Sequence, residues 1–216
     1  GFGAVHLLGR QLLVRERLDG GDRAVETLPR PDRSRAALLD TAAVLFRRQG
    51  YSATGINQIL EVAEVRAGSL YHHFPDGKAE LAAAVVDKAG GDISALLRTL
   101  LATDEPAADI VDRWVDVMAA NLSTDERDGC PIDPLATESV TASPVVRPAS
   151  ARAFGSWITA VADRLRADGW PSEQAEQTAR TIIALIEGAL LLSRVAGEPS
   201  ALHAAKAAAR ALLDRG

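Results

Sequence analysis

The residues best suited to do chemistry are hydrogen-bond donors grouped between positions 66 and 78. Arg66 opens the group, and an arginine bidentate to guanine is the commonest specific contact with a base. The alternative is a solvated surface arginine. Lys78 closes the group at the first turn of a predicted helix, whose N-terminus would help to bind a phosphate. The polar residues expected to face outward between them are Ser69, Tyr71, His72 and His73.

Other chemistry lacks support in the sequence, which contains no G-x-S-x-G, no glycine-rich phosphate loop and no HExxH. The four histidines are too scattered for a metal site, and adjacent His72 and His73 point to different sides of a helix. Cys130 is the single cysteine, which excludes an intramolecular disulfide, and no basic cluster lies near it in the sequence. We therefore expect a protein that is not an enzyme and needs no metal or cofactor.

Three predicted helices position the donor group. The first stops at Gly50, and the second is capped by Thr54, whose side-chain oxygen can accept a bond from an unpaired amide of the first turn. The third runs from Ala67 to Phe74 with Leu70 and Phe74 inward. Two short helices joined by a tight turn and braced by a first form a helix-turn-helix. The inward stripes of the first two helices are Leu38, Leu39, Ala42, Ala43, Leu45 and Phe46, then Ile56, Ile59, Leu60 and Ala63.

This stretch resembles the DNA-binding domain of the TetR family of transcriptional regulators. The resemblance rests on the run GSLYHHFP at its distance from GYSATGINQI. The form FPDGKAEL, together with GCPIDPLATES at 129–139, resembles more narrowly the LmrA/YxaF-type subgroup. The matching residues are Phe46, Gly50, Tyr51, Thr54, Ile59, Ala63, Val65, Gly68, Ser69, Leu70, Tyr71, His72, His73, Phe74, Pro75, Lys78 and Leu81.

The resemblance implies that the third helix enters the major groove of double-stranded operator DNA. Tyr71 and Lys78 would then contact phosphates, helped by Thr54 at the start of the second helix. By analogy with the arms of other helix-turn-helix proteins, Arg30, Arg33 and Arg35 could belong to an N-terminal arm that reaches the backbone or the minor groove. The alternative is a mobile arm without this contact, or an over-extended gene start. The residues expected to face base edges are Arg66, Ala67, Ser69 and His72.

Two positions depart from the family pattern. The family usually has glycine in the turn where Glu64 stands, and a small hydroxyl residue where Arg66 stands. A non-glycine residue at positive φ costs on the order of 1 kcal/mol, and an arginine cannot cap a helix through its side chain. The turn is therefore either strained at Glu64 or built with a different backbone.

Length and composition predict an all-helical protein. The chain has 216 residues and is 47% hydrophobic but only 4% aromatic. Its net charge of −5 divides into +1 over residues 1–30, 0 over 31–90 and −6 over 91–216, so the phosphate contribution to DNA binding should be modest and salt-sensitive. No apolar run approaches the roughly 20 residues that span a bilayer. We expect a cytoplasmic protein that does not associate with membranes and carries no signal peptide.

Three ranges and nine helices are predicted. Residues 1–32 are interpreted as an N-terminal extension, 33–80 as the helix-turn-helix DNA-binding domain, and 81–216 as a ligand-binding and dimerisation domain. The fourth helix starts at Lys78 and is expected to break or bend near Gly90 and Gly91. The later helices are predicted from Pro106 to Ser123, from Leu135 to Thr141, from the turn containing Pro148 to Gly169, from Ser172 to Gly197 and from Ser200 to Asp214.

The eighth predicted helix is apolar on more than one face, so it must be covered on two sides. One side can pack on its own domain. We assign the other side to a second subunit, with the ninth helix completing a four-helix interface, as the resemblance also implies; the alternative is a wholly internal helix. The predicted interface residues are Ile182, Leu185, Gly188, Ala189, Leu192, Ala205 and Ala208.

Aromatic and flexible side chains on the fifth, seventh and eighth helices predict a cavity for a small apolar ligand, since such side chains commonly line ligand cavities. The alternative is that they form ordinary core. The fourth helix would link this region to the DNA-binding domain. The predicted lining residues are Trp114, Met118, Phe154, Trp157, Ile158, Val161, Ile183 and Ile186.

The sequence thus predicts a homodimeric transcriptional regulator, a repressor, that binds a palindromic operator and is released by a small apolar molecule. A second hypothesis is a dimeric helical interaction protein with impaired DNA binding, motivated by the neutral range 31–90 and by Glu64 and Arg66. A third, a helical enzyme, has no catalytic group of residues in its favour.

Overall fold

The computed structural model describes residues 30–124, 129–139 and 143–214. Every regular element in those ranges is an α-helix, which confirms the predicted all-helical fold. The helices are α1 (Arg30–Ala53), α2 (Ile56–Val62), α3 (Ala67–His73), α4 (Lys78–Leu101), α5 (Ala107–Thr124), α6 (Asp133–Ser139), α7 (Val146–Ala167), α8 (Ser172–Ala196) and α9 (Ser200–Leu213).

Helix α1 begins earlier than expected. Its first described residue, Arg30, lies inside the range assigned to the extension, while residues 1–29 lie outside the described part of the chain. Arg33 and Arg35 therefore sit on a helix, and their assignment to an extended arm was wrong. The end of the helix was predicted correctly, because Gly50 leaves helical geometry at φ 85° and a single turn follows as far as Ala53.

Two other expectations about helix boundaries need correction. Helix α4 runs without interruption through Gly90 and Gly91, where a break or bend was expected. Helix α6 begins at Asp133, two residues ahead of its predicted start, and residues 140–142 after it lie outside the described ranges. The glycine stops were predicted correctly: Gly169 and Gly197 adopt positive φ after α7 and α8.

Backbone contacts divide the described residues into two compact units: the residues up to Lys88 with Pro134–Ser150, and Ala89–Asp133 with the residues from Ala151 onward. In the first unit α1 packs against α2 and α3. The predicted inward residues Phe46, Ile59 and Leu70 are fully buried there. This small core fixes the angle at which α3 presents its other face.

In the second unit α9 packs against α5 and α8, and the last three turns of α4 pack against α7. The indole Nε1 of Trp157 donates a hydrogen bond of 2.9 Å to the carbonyl of Gly90. The guanidinium of Arg164 donates to the carbonyls of Leu101 and Thr103 at 2.7 Å, where α4 ends. No helix in the described ranges is long and apolar enough to cross a membrane.

Candidate nucleic-acid interface

Helix α3 has one buried face and one open face. Leu70 is fully buried and Phe74, which follows the helix, is 1% exposed. On the open side Arg66, Ala67 and His72 are exposed and the Tyr71 side chain is 51% exposed, whereas Ser69 and His73 are half-buried. The inward and outward sets therefore match the sequence prediction, apart from the partial burial of Ser69 and His73.

Gly68 lies on the same open side of α3. A Cβ atom built there would meet no atom within 4 Å. Its φ is not in the left-handed region, so neither the backbone conformation nor internal packing requires a glycine. The space beside it is available to an external molecule that approaches the helix backbone closely.

The turn between α2 and α3 is strained at Glu64, which adopts φ 54°. The amide of Val65 donates to the carbonyl of Leu60 at 3.0 Å, and the amide of Glu64 donates to that of Glu61 at 3.2 Å. This pair of bonds is the Schellman arrangement, which usually places glycine at the positive-φ position. The strained alternative is therefore the one adopted, because the hydrogen bonds fix the backbone despite the side chain.

Lys78 and Tyr71 lie close to the turn that joins α3 to α4. The Lys78 ammonium lies 4.2 Å from the centroid of the Tyr51 ring, a cation–π contact. Partial burial lowers the pKa of Lys78, although the charge of Glu138 acts in the opposite direction. The Tyr71 ring lies against Gly77, whose missing Cβ would sit 3.4 Å from its Cε1. Two donors suited to phosphates therefore flank the end of α3.

Thr54 does not have the role predicted from the sequence. The N-cap of α2 is Gly55, and no side chain caps the helix. The Thr54 hydroxyl instead donates to the carbonyl of Gly50 at 2.7 Å and accepts from Nε2 of Gln49 at 3.2 Å. Because Thr54 has no exposed surface, a contact between this residue and DNA is excluded in this conformation.

Of the two α1 arginines that the sequence assigned to DNA binding, Arg35 is exposed and Arg33 is half-buried. The guanidinium carbon of Arg35 lies 5.5 Å from the centroid of the Phe74 ring. This contact ties the start of α1 to the residue that follows α3.

Two parts of the sequence match two family models. Residues 38–85 match the model of bacterial regulatory proteins of the tetR family, and residues 107–208 match the C-terminal domain model of LmrA/YxaF-like transcriptional regulators. The uncharacterized HTH-type transcriptional regulator YxaF of Bacillus subtilis (strain 168) is 34% identical over 161 residues, which are 74% of this chain and 84% of YxaF. The chain belongs to the TetR family.

Further comparisons agree with this membership. The HTH-type transcriptional regulator LmrA of the same bacterium is 32% identical over 76% of this chain and 87% of its own length. A TetR transcriptional regulator from Chloroflexus aurantiacus J-10-FL superposes with a TM-score of 0.72 and 26% identity, covering 87% of this chain and 97% of that one. The chain is therefore a DNA-binding transcriptional regulator of the LmrA/YxaF-like group, and not an enzyme.

The residues predicted to line the ligand cavity of this TetR-family chain all lie in the second unit. Trp157, Val161, Ile183 and Ile186 are buried. Phe154 meets Trp157 edge to face, with ring centroids 5.0 Å apart. The half-buried members are Trp114, Met118, Phe154 and Ile158.

The sequence prediction missed Ser94, a polar residue on the inward face of α4. It follows Gly90 by one helical turn, is 6% exposed, and its hydroxyl has no hydrogen-bond partner among the described residues. The carbonyl of Gly90, which a serine four residues later often uses, already accepts the bond from Trp157. A lone serine on a stripe of apolar residues was the available signal.

Cys130 and Glu187 form a polar pair that the prediction also missed. Burial raises the pKa of Glu187 to about 7, and the nearby charge of Asp133 acts in the same direction, against a hydrogen bond with Cys130. Burial also raises the pKa of the Cys130 thiol well above its ordinary value. The Cys130 thiol is thus a packed group. Within the described ranges, no group of three or more His, Cys, Asp or Glu side chains is placed to hold a metal ion.

The predicted dimer residues divide into two sets. Ile182 has no exposed surface, and Ala189 and Ala205 are 6% and 5% exposed. These three residues pack inside their own subunit, so assigning them to an interface was wrong. Leu185 is half-buried, whereas Gly188, Leu192 and Ala208 are exposed. Ala184, Leu191 and Val195, which the prediction did not include, share the open face of α8 with Gly188 and Leu192.

Proposed function

We propose that this TetR-family protein is a ligand-responsive repressor that binds a palindromic operator as a homodimer in the cytoplasm and is released by a small apolar molecule. The observation that carries the proposal is the open face of α3, with exposed Arg66, Tyr71 and His72 beside Lys78. Repression requires only that the protein occupy the operator. It therefore needs no further surface for a partner protein.

In the proposed complex α3 lies in the major groove. Tyr71 and Lys78 contact phosphates and set the register, while Arg66, Ala67, Ser69 and His72 face base edges. Arg33 and Arg35 contribute from α1, where Arg35 is the better placed because it is exposed. Thr54 is no longer part of the contact set because it is buried.

The dimer proposal is supported by the open face of α8. Ala184, Gly188, Leu191, Leu192 and Val195 recur at helical spacing on that face, and Leu192 and Val195 are 63% and 79% exposed. A stripe of this kind favours burial against a second copy over exposure to water. A palindromic operator requires two α3 helices that reach major grooves about 34–36 Å apart, and a dimer supplies two such helices.

The ligand proposal rests on the aromatic and flexible side chains that lie in the second unit. Phe154, Trp157 and Trp114 supply aromatic surface, Met118 can repack, and Ser94 offers one unsatisfied hydroxyl. We expect a mostly apolar ligand with one hydrogen-bonding group. To release the operator it must bind one conformation of the dimer better than the other, because equal affinity shifts nothing.

The test begins with DNA that flanks the protein's own gene, measured by gel shift at several salt concentrations. Lys78→Ala should weaken binding to all sequences alike and lower the slope of log affinity against log salt by about 1. Arg66→Ala should relax the preference at one base pair, at a cost of about 1–3 kcal/mol. Arg98→Ala is the matched control: it removes one charge from the same helix, about 30 Å further along.

Candidate apolar compounds are then titrated while tryptophan fluorescence and operator affinity are followed together. Saturable quenching with a parallel loss of affinity supports release by ligand. Quenching that never alters affinity contradicts it. A wild type that binds no flanking DNA, yet remains dimeric, favours the interaction protein, for which the strained Glu64 and the neutral range 31–90 are the supporting observations.

A further inference from the structure

Glu138 of α6 binds the last turn of α1, which follows the kink at Gly50. Its Oε1 accepts a hydrogen bond of 3.1 Å from the backbone amide of Tyr51, and its Oε2 accepts one of 2.7 Å from the amide of Ser52. The carboxylate thus holds two consecutive amides with both oxygens, across 87 and 86 positions of sequence. Both partners belong to the first compact unit.

Gly50 leaves room for this carboxylate beside the turn. Gly50, which precedes it, adopts φ 85°, a conformation that glycine reaches at little cost. A Cβ atom built on Gly50 would lie 2.1 Å from Oε1 of Glu138, so any side chain there would displace the carboxylate. The backbone conformation and the close approach therefore require glycine for two separate reasons.

Glu138 is held in its charged form. Burial acts against that form, but hydrogen bonds from the backbone and hydroxyl of Ser52, the amide of Tyr51 and the charge of Lys78 together lower the pKa of Glu138. Hydrogen bonds to an ionised acceptor are stronger than those between neutral groups. The contact consequently persists throughout the neutral pH range.

Tyr51 connects this contact to the DNA-binding surface. Its amide is bound by Glu138, and its ring lies 4.2 Å from the ammonium of Lys78. The Tyr51 ring also packs against the Phe46 ring, whose centroid lies 5.7 Å away. A displacement of the turn would therefore move the surface on which the Lys78 ammonium rests.

We propose that Glu138 is a positioning residue for operator binding, which holds the turn at Tyr51 and Ser52 so that Tyr51 presents Lys78 to a DNA phosphate. The proposal rests on the proposed function, since it takes Lys78 as a phosphate contact. It assigns a role in DNA binding to a residue far outside the helix-turn-helix segment. The opposing possibility is that the carboxylate only repels DNA, and the two differ in sign.

The experiment measures operator affinity and its salt slope for wild type, Glu138→Ala, Glu138→Gln, Lys78→Ala and the double variant Glu138→Ala/Lys78→Ala. Glu138→Ala should weaken binding about tenfold, the size expected for one hydrogen bond to a charged group, and lower the salt slope by about 1. In the Lys78→Ala background it should have little further effect, because both changes remove the same contact. Glu138→Gln, which keeps an acceptor oxygen, should lie between wild type and Glu138→Ala.

Glu61, an exposed acid on α2 of the same unit, supplies the control for charge. Glu61→Ala removes one negative charge from the protein and should leave affinity unchanged or slightly tighter. Amide hydrogen exchange at Tyr51 and Ser52 should accelerate in Glu138→Ala without any change in helix content. If Glu138→Ala does not fold, Glu138→Gln replaces it in the comparison with wild type and Lys78→Ala.

The outcomes distinguish a failure of the proposed function from a failure of the role proposed for Glu138. A wild type that binds no operator overturns the proposed function, and this inference with it. A wild type that binds, with Glu138→Ala equal to it or tighter, overturns the inference alone. Losses from Glu138→Ala and Lys78→Ala that multiply in the double variant also overturn it, because the two residues would then act independently.

Discussion

At the scale of single residues, Glu187 is an acid whose charged form is disfavoured by burial. It lies on α8 among apolar residues, shares a hydrogen bond with the Cys130 thiol, and has a second carboxylate, Asp133, nearby. Burial is the main reason that its pKa rises from 4.5 to about 7. Its protonated form is therefore favoured by folding, which makes the stability of the fold depend on pH near neutrality.

The sign follows from linkage. Between pH 4.5 and 7 the unfolded chain has lost this proton while the folded chain keeps it, so the free energy of unfolding falls as pH rises through that window. The full shift corresponds to about 3 kcal/mol. Glu187→Gln, which copies the neutral form, should remove this pH dependence, whereas Glu173→Gln on the exposed start of α8 should not. Urea unfolding at several pH values from 5 to 8 measures how the free energy of unfolding depends on pH. Equal pH dependence in wild type and Glu187→Gln would contradict the raised pKa of Glu187.

Single residues also mark the limit of prediction from sequence. Glu64 could be singled out from the sequence as either strained or built with a different backbone, because a missing glycine in a tight turn is a local property, and the structure adopts the strained alternative. The side chain of Thr54 was assigned to the wrong helix end, because a hydroxyl between two helices can serve either, and Gln49 and Gly50 decide which. Glu138 could not be found at all, since its partners lie more than 80 positions away and no local pattern reports them.

At the scale of elements, the crossing of α4 and α7 depends on the absence of a side chain at Gly90. A Cβ atom there would lie 2.5 Å from the Cβ of Ala153. The same crossing is fixed by the bond from Trp157 to the carbonyl of Gly90 and, at the end of α4, by Arg164. Glycine was read from the sequence as a break in the helix, whereas its use here is close packing within an unbroken one.

Gly90→Ala should therefore destabilise the second unit, even though alanine is the better helix former, because overpacking typically costs about 1–3 kcal/mol. Ala153→Gly removes the opposing methyl group. The double variant Gly90→Ala/Ala153→Gly should be more stable than Gly90→Ala alone, as measured by urea unfolding. Gly91→Ala is the matched control, since a Cβ at Gly91 meets no atom within 4 Å. A destabilisation by Gly91→Ala as large as that by Gly90→Ala would contradict the packing argument.

Helix identity was easier to predict than helix contacts. Apolar periodicity with glycine and proline stops indicates where α5, α7, α8 and α9 lie, because these signals act within one or two turns. Which apolar face meets which neighbour is set by tertiary packing. Ile182 and Leu192 look alike in sequence, yet the first is completely buried and the second is largely exposed.

At the scale of the whole molecule, the two faces of α8 differ in burial. One face, with Ile182, Ile186 and Leu190, is covered by the chain's own second unit. The other carries Leu192 and Val195, which together with Leu191 form an apolar stripe that nothing in the described ranges covers. Ala189 lies on the covered face, so a charge placed there would disrupt the core and report nothing about assembly.

Leu192→Arg is therefore the substitution that tests assembly, because it places a charge at the centre of the exposed stripe and leaves the covered face intact. Burying that charge against a second copy without a partner would be unfavourable, so the variant should sediment as a monomer at micromolar concentration while wild type sediments as a dimer. Operator binding should be lost with the dimer, since one α3 helix reads only half of a palindrome. Val145→Arg makes the same change at a 40% exposed valine of the first unit and should leave the dimer intact. A wild type that sediments as a monomer would contradict the dimer, and a monomeric Leu192→Arg that still binds the full operator with wild-type affinity would separate assembly from DNA recognition.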